Sequence, residues 1–322
     1  MSGAAAANLS RDLAELERHG EPAFGGKSAA LGELLAAGVR VPHGFALSAE
    51  AYALARAVGG MPGAVRDEIE WRYRSLAVVA GVEQPAVAVR SSAIGEDSAT
   101  ATFAGQQETM LWVRGVEQVC AAVQRCWDSL HSETAVSYRA RMGDGREPAM
   151  GVAVQLMVDA AVAGVLFTCN PLSGDPSMVA INASWGLGLA VVEGAVTPDD
   201  YLLSKVTGEV VREQVSFKRV EYLPDPEGCG VALREVPPER ADAPCLDAPA
   251  LDALLATARA AEHHFGSPQD VEWAIARTGT LPENLFVVQS RPVTTLGART
   301  TASAAEPDAA ITLVMRQFGA RG

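Results

Sequence analysis

Nothing in this sequence pairs its cysteines. Five of them stand at positions 120, 126, 169, 229 and 245, an odd number with no Cys-x-x-Cys spacing. That argues against a disulfide framework, gives no support for a zinc site, and suits a reducing compartment. Positive charge is also scarce: 26 Lys and Arg face 39 Asp and Glu, for a net charge of −13. Such a balance argues against a nucleic-acid or anionic-membrane surface, and any phosphate site must gather its cations locally. Long apolar runs are missing too. The longest, from Met150 to Phe167, is broken by Gln155 and Asp159 and reads as two buried strands flanking Asp159-Ala-Ala. Met1 to Leu9 has neither a basic start nor an adequate apolar stretch, so no signal peptide is read. The expectation from these absences is a soluble, cytoplasmic protein. No internal repeat stands out, and no Ser-His-Asp or Cys-His arrangement is suggested.

What is present is ample apolar material, 48% of 322 residues, enough for two domains or one two-lobed domain. Ser28 to Ala37, Ala49 to Ala57 and Pro62 to Ala80 read as helices, and Val116 to Met142 as a long one with Val119, Val123, Trp127 and Leu130 on one face. Strands are read around Val87, from Val152, from Val162 and over Met178 to Ala183, with a hairpin from Tyr201 to Val215 turning at Thr207-Gly208. Residues 224–249, rich in Pro, Asp and Glu, read as an excursion or linker. A helix from Ala250 to Phe265 stops at Gly266, and a last hairpin joins Val271–Ala276 to Leu285–Arg291. Helices and strands do not alternate strictly, which favours an α+β arrangement.

Three features carry chemistry. The first is the run from Arg90 to Thr109, with small hydroxyl residues, glycines and a single cation after an apolar strand. It reads as a phosphate cradle of backbone N–H groups or as a turn-rich surface loop. The second is the last hairpin. Pairing about a centre between Thr280 and Leu281 sets Glu272 opposite Gln289 and puts Arg291 on the same face. Two oxygen ligands suit Mg²⁺, and a guanidinium suits a phosphate; the alternative is the solvated face of an ordinary hairpin. The third is Lys27 in Gly25-Gly-Lys-Ser28. It is not a P-loop, because position 21 is Glu, and a lysine at a helix start opposes the helix dipole unless an anion lies nearby. Gln155 is a polar group in an apolar strand that needs a partner. His263 and His264 end a helix, where a cation is favourable.

Together and in order, these stretches resemble the N-terminal ATP-binding domain shared by phosphoenolpyruvate synthase, pyruvate phosphate dikinase and rifampin phosphotransferase, an ATP-grasp fold. The matching segments are Gly25 to Leu35 with Val41 to Phe45, Val89 to Thr109, Val154 to Val158, Ala163 to Thr168, Gly186 to Gly188 with Gly194 to Asp199, Val271 to Trp273 and Val288 to Pro292. The resemblance implies two lobes with mixed or antiparallel sheets, which we set at residues 1–180 and 181–295, with a flexible tail over 296–322. It also implies ATP as substrate with Mg²⁺ (Mn²⁺ as a substitute). Lys27, Arg90 and Arg291 would act on the phosphates, Gly105 and Thr109 would belong to a loop closing over the nucleotide, Gln155 would lie at the nucleotide, and Glu272 and Gln289 would hold the metal. One position departs from the pattern: Leu189 stands where the family has Glu after Gly-Leu-Gly, with Glu193 nearby. Family members pass phosphate to a histidine in a Gly-rich Thr-Ser-His segment, and none of the histidines at 19, 43, 131, 263 and 264 has that setting. The chain therefore looks like the ATP-binding component of a split, dikinase-type phosphotransferase with a separate phosphohistidine subunit, as in phenylphosphate synthase. A self-sufficient ATP-grasp kinase or ligase and a non-catalytic nucleotide-binding subunit are the alternatives.

Overall fold

The computed structural model describes residues 8–17, 20–94, 108–132, 136, 149–226 and 228–293. The chain divides into two compact units. One comprises Met1–Glu33, Pro42–Met157 and Gly228–Gly230; the other comprises Leu34–Val41, Val158–Glu227 and Val231–Gly322.

The first unit is built on β1 (Ser10–Asp12), β2 (Gly44–Leu47), β3 (Val87–Ala93), β4 (Thr109–Val113) and β5 (Met150–Leu156), in the order β1-β2-β5-β3-β4. Every pairing is antiparallel. Its helices are α1 (Glu21–Phe24), α2 (Gly26–Ala36), α3 (Ala49–Val58), α4 (Gly63–Ala80) and α5 (Val116–Ser129). Strand alternation decides the core: Phe45, Leu47, Val87, Val89, Val152 and Val154 join Tyr52 of α3, Ile69 of α4 and Val123 and Trp127 of α5 in one buried cluster. Helix α3 starts where the Ser48 hydroxyl accepts from the Ala51 N–H and stops at left-handed Gly59. The long helix expected to reach Met142 is seen as α5, closing at Leu130; residues 133–135 and 137–148 lie outside the described residues.

The second unit carries β6 (Ala160–Phe167), β7 (Met178–Trp185), α6 (Leu189–Val192), β8 (Asp199–Ser204) and β9 (Val210–Gln214). It continues with β10 (Val220–Pro224), β11 (Val231–Glu235), α7 (Pro238–Ala241), α8 (Ala248–Phe265), β12 (Gln269–Ala276) and β13 (Leu285–Pro292). Six strands form an antiparallel sheet in the order β13-β12-β6-β7-β8-β9. Val271, Leu166, Ile181 and Tyr201 form one fully buried cross-sheet row. On the opposite face Val165, Phe167 and Ala180 pack with Ala190 and Val191 of α6. The stretch over 224–249 is not a plain linker. It holds β11, which pairs with β10, and α7.

The observed class is therefore α+β with antiparallel sheets. The expected tail, 296–322, lies outside the described residues.

Candidate functional site

In the first unit the register puts Arg90 beside Thr109 of β4 and Ala153 of β5, and Ala88 beside Gln155. Cross-strand partners share a face, as do residues two apart, so Arg90, Thr109 and Gln155 lie on the face opposite the apolar cluster. Small residues separate them: Ala88, Ala153 and Gly151. The corner between α1 and α2 comes down on this sheet. A Cβ on Gly151 would overlap the Phe24 carbonyl oxygen, and one on Gly25 would overlap the Ser92 carbonyl oxygen. Gly25 also sits at φ +82°, so its place in Gly25-Gly-Lys-Ser is set by close backbone packing.

This corner brings Lys27 to Arg90's strand. Lys27, in the first turn of α2, is buried, and its Nζ donates to the Ser91 carbonyl at 3.2 Å. The Ser28 N–H donates to Ser92 Oγ at 3.2 Å. The Lys27 ammonium thus lies at the residue of β3 that follows Arg90. Gln155 is buried, with its Nε2 3.5 Å from the Pro42 carbonyl oxygen that accepts from it. Thr109 is exposed on the edge strand. Gly105 and the rest of 95–107 lie outside the described residues.

In the second unit the expected hairpin register is present. Glu272 pairs with Gln289, and Gln289 Nε2 donates to Glu272 Oε1 at 3.1 Å. The same centre pairs Asp270 with Arg291, whose Nε donates to Asp270 Oδ2 at 2.9 Å. Beyond Glu272 the register shifts: Trp273 pairs with Val287, so Val288 is an extra residue in β13. This face is not the solvated side of a hairpin. Asp270 is 2% exposed and Gln289 8%. Burial pushes the Asp270 carboxyl up to about 6, with the Arg291 guanidinium pulling against the rise and Glu272 adding to it. Asp270 Oδ1 is buried with no hydrogen-bond partner.

Sequence reasoning missed Asp270, although it lies as far from the hairpin centre as Arg291 does and two residues from Glu272. It also missed the continuation of the Glu272 row through Val165 to Asn182 and Asp200. Asn182 Nδ2 donates to Asp200 Oδ2 at 3.3 Å, and Arg212 Nε donates to Asp200 Oδ1 at 2.9 Å.

The glycine segment lies on this same face. A Cβ on Gly188 would stand 3.7 Å from Ala163 Cβ, and Ala163 is two residues from Val165, the partner of Glu272. Leu189 opens α6, and Glu193, just after it, accepts from the Tyr222 hydroxyl at 2.9 Å. His131 is engaged structurally, 2.9 Å from the Tyr52 hydroxyl through its Nε2. Among the described residues no cluster of three or more His, Cys, Asp or Glu is arranged to hold a metal ion, and no helix is long and apolar enough to cross a membrane.

Lys27 of α2 beside Arg90 on one antiparallel sheet, and a carboxylate–amide–guanidinium row on another, are the polar features of this α+β fold. The chain belongs to the family described as pyruvate phosphate dikinase, AMP/ATP-binding domain, which matches residues 56–310. It is 34% identical to a phosphoenolpyruvate synthase of Pyrococcus furiosus, over 95% of this chain and 46% of that protein. It is 39% identical to a rifampicin phosphotransferase of Streptomyces sp, over 88% of this chain and 36% of that protein. A prodigiosin synthesizing transferase of Serratia marcescens is 38% identical, over 84% of this chain and 32% of that protein. The chain thus spans less than half the length of these relatives.

Proposed function

We propose that this chain is the ATP-binding component of a phosphotransferase. It would transfer a phosphoryl or pyrophosphoryl group from Mg·ATP to a histidine on a partner chain, with AMP and phosphate as net products. The observation that carries the reading is the double register pair Asp270–Arg291 and Glu272–Gln289 on one buried face. Family membership supplies the nucleotide.

The donors fit a divalent cation. Glu272 and Gln289 offer a carboxylate and an amide carbonyl side by side, and the Asp270 oxygen without a partner adds a buried acceptor in the next pair. Mg²⁺ takes such oxygen ligands and leaves its other positions to water and phosphate oxygens. When bound there it would neutralise phosphate charge. Arg291, fixed by Asp270, would hold a phosphate in a defined orientation, and Lys27 of α2 and Arg90 of β3 are the cations that the first unit offers to phosphate oxygens. Phosphoryl transfer asks little covalent chemistry of a protein, so positioning and charge are what these side chains supply. None of the five histidines lies in a Gly-rich Thr-Ser-His segment, which supports an acceptor outside these 322 residues.

The test is to mix the purified chain with Mg²⁺, labelled ATP and a protein bearing the Thr-Ser-His segment. Label should appear on that protein's histidine while AMP accumulates. Arg291→Ala should lower the rate by roughly 100-fold or more. Folded proteins that exchange no label, or an Arg291→Ala variant with full activity, would overturn the assignment.

A further inference from the structure

Among the described residues, Glu221 is one of the few buried carboxylates outside the row just described. It lies on β10, 3% exposed, with Oε1 3.4 Å from Arg240 Nη1 and Oε2 without a hydrogen-bond partner. Burying a half-paired carboxylate is costly, and an apolar residue of similar volume avoids that cost. What Glu221 touches gives the burial a purpose.

Its neighbour is the glycine turn. A Cβ on Gly186 would lie 3.3 Å from Glu221 Oε2 and 2.5 Å from the Tyr222 carbonyl oxygen. Gly186 is in the left-handed region at φ +73°. The Leu187 N–H donates to that same Tyr222 carbonyl at 3.0 Å. Arg240, the partner of Glu221, lies over the Trp185 ring at 4.4 Å, and Trp185 Nε1 donates to the Arg240 carbonyl at 2.9 Å. The Tyr222 hydroxyl reaches Glu193 on the far side of α6. The residue before the turn, the turn itself and the helix after it are therefore all gripped by the segment from β10 to α7.

We propose that Glu221 and Arg240 are positioning residues that hold the Gly186–Gly188 turn against the Glu272 face for nucleotide binding. The assignment rests on the nucleotide reading above. A positively charged group stacked on Trp185 and anchored to a buried carboxylate fixes direction as well as distance, which apolar packing does not. Loosening the pair lets the turn leave the sheet at Ala163, and the ligand then bears the ordering cost.

The experiment measures Mg·ATP affinity by calorimetry and amide exchange over residues 186–189 in the full chain and in Arg240→Ala, Arg240→Lys and Glu221→Gln. Arg240→Ala should weaken ATP binding ~10-fold and speed exchange in the turn, the size typical of removing an outer-shell support. Arg240→Lys keeps the charge but loses the planar stack and should fall between. Glu221→Gln preserves volume, so it reports on the charge pair even where Arg240→Ala folds poorly. Variants with faster exchange but unchanged ATP affinity would overturn the positioning role. Unchanged exchange would overturn the clamp itself. A wild-type chain that binds no ATP would instead overturn the reading of the site, and this role with it.

Discussion

Single residues carry the site in two different ways, by charge and by the lack of a side chain. Gly25 is the second kind. Its φ of +82° and the Ser92 carbonyl beneath it leave no room for a methyl group. Gly25→Ala should therefore cost ~2 kcal/mol or more, from the left-handed backbone and the overlap together. In a unit of this size that lowers the melting temperature by about 4–8 °C. It should also displace Lys27 from Ser91, so a thermal melt and an ATP titration on the same variant would both move. The Gly-Gly-Lys-Ser pattern was visible in the sequence, but its cause was not. It looked like a ligand-facing loop, whereas the contact that demands glycine is with β3. Asp270 shows the reverse case. The register arithmetic that paired Glu272 with Gln289 already placed Asp270 against Arg291, yet a lone Asp in an apolar strand carries no signal until its partner is named.

At the scale of elements, the inner strands around Val87 and Val152 and the strands of the six-stranded sheet were legible from their apolar runs, whereas β1 and β4, the edge strands of the first sheet, were not read. The Glu272–Gln289 register followed from loop symmetry alone. The bulge at Val288 did not, since an extra residue in one strand changes no hydrophobic count. The hairpin of β10 and β11 was hidden by composition: its strands are short and half exposed, and prolines and acids dominate its turns. Helix ends were clearer. Helix α8 begins where Asp247 accepts from the Ala250 N–H at 3.0 Å and ends at left-handed Gly266 after Glu262 takes its N–H. Its buried stripe of Leu251, Leu254, Leu255 and Ala258 gives the rest of its stability. Asp247→Ala should remove the cap alone and cost about 1 kcal/mol. Urea denaturation would show it as a lower midpoint with an unchanged slope, because the surface exposed on unfolding is the same.

At the scale of the whole molecule, the segment that grips the glycine turn is itself fastened by one buried charge pair. Lys218 and Asp199 have no exposed side-chain surface, and Lys218 Nζ stands 2.5 Å from Asp199 Oδ1. Asp199 is fully used: Oδ1 also accepts from the Ser216 N–H at 2.9 Å and Oδ2 from the Cys245 N–H at 2.8 Å. Lys218 Nζ donates further to the Ser216 carbonyl at 2.7 Å, and its backbone N–H donates to the Ala241 carbonyl. One carboxylate at the start of β8 thus ties down both ends of the segment running from Ser216 to Cys245, which includes Glu221 and Arg240. Lys218→Met keeps the volume and removes the counter-charge, leaving Asp199 buried with its backbone donors alone. Breaking such a pair from one side typically costs 3–5 kcal/mol, roughly, whereas removing both charges costs far less. The double variant Asp199→Asn, Lys218→Met should therefore recover much of the stability that Lys218→Met loses. A thermodynamic cycle over the four proteins by urea denaturation measures this coupling. Additive losses would mean that the two charges act independently. Strong coupling, with weakened ATP binding in the single variant, would trace a line from a buried ion pair through the hairpin to the Gly186–Gly188 turn.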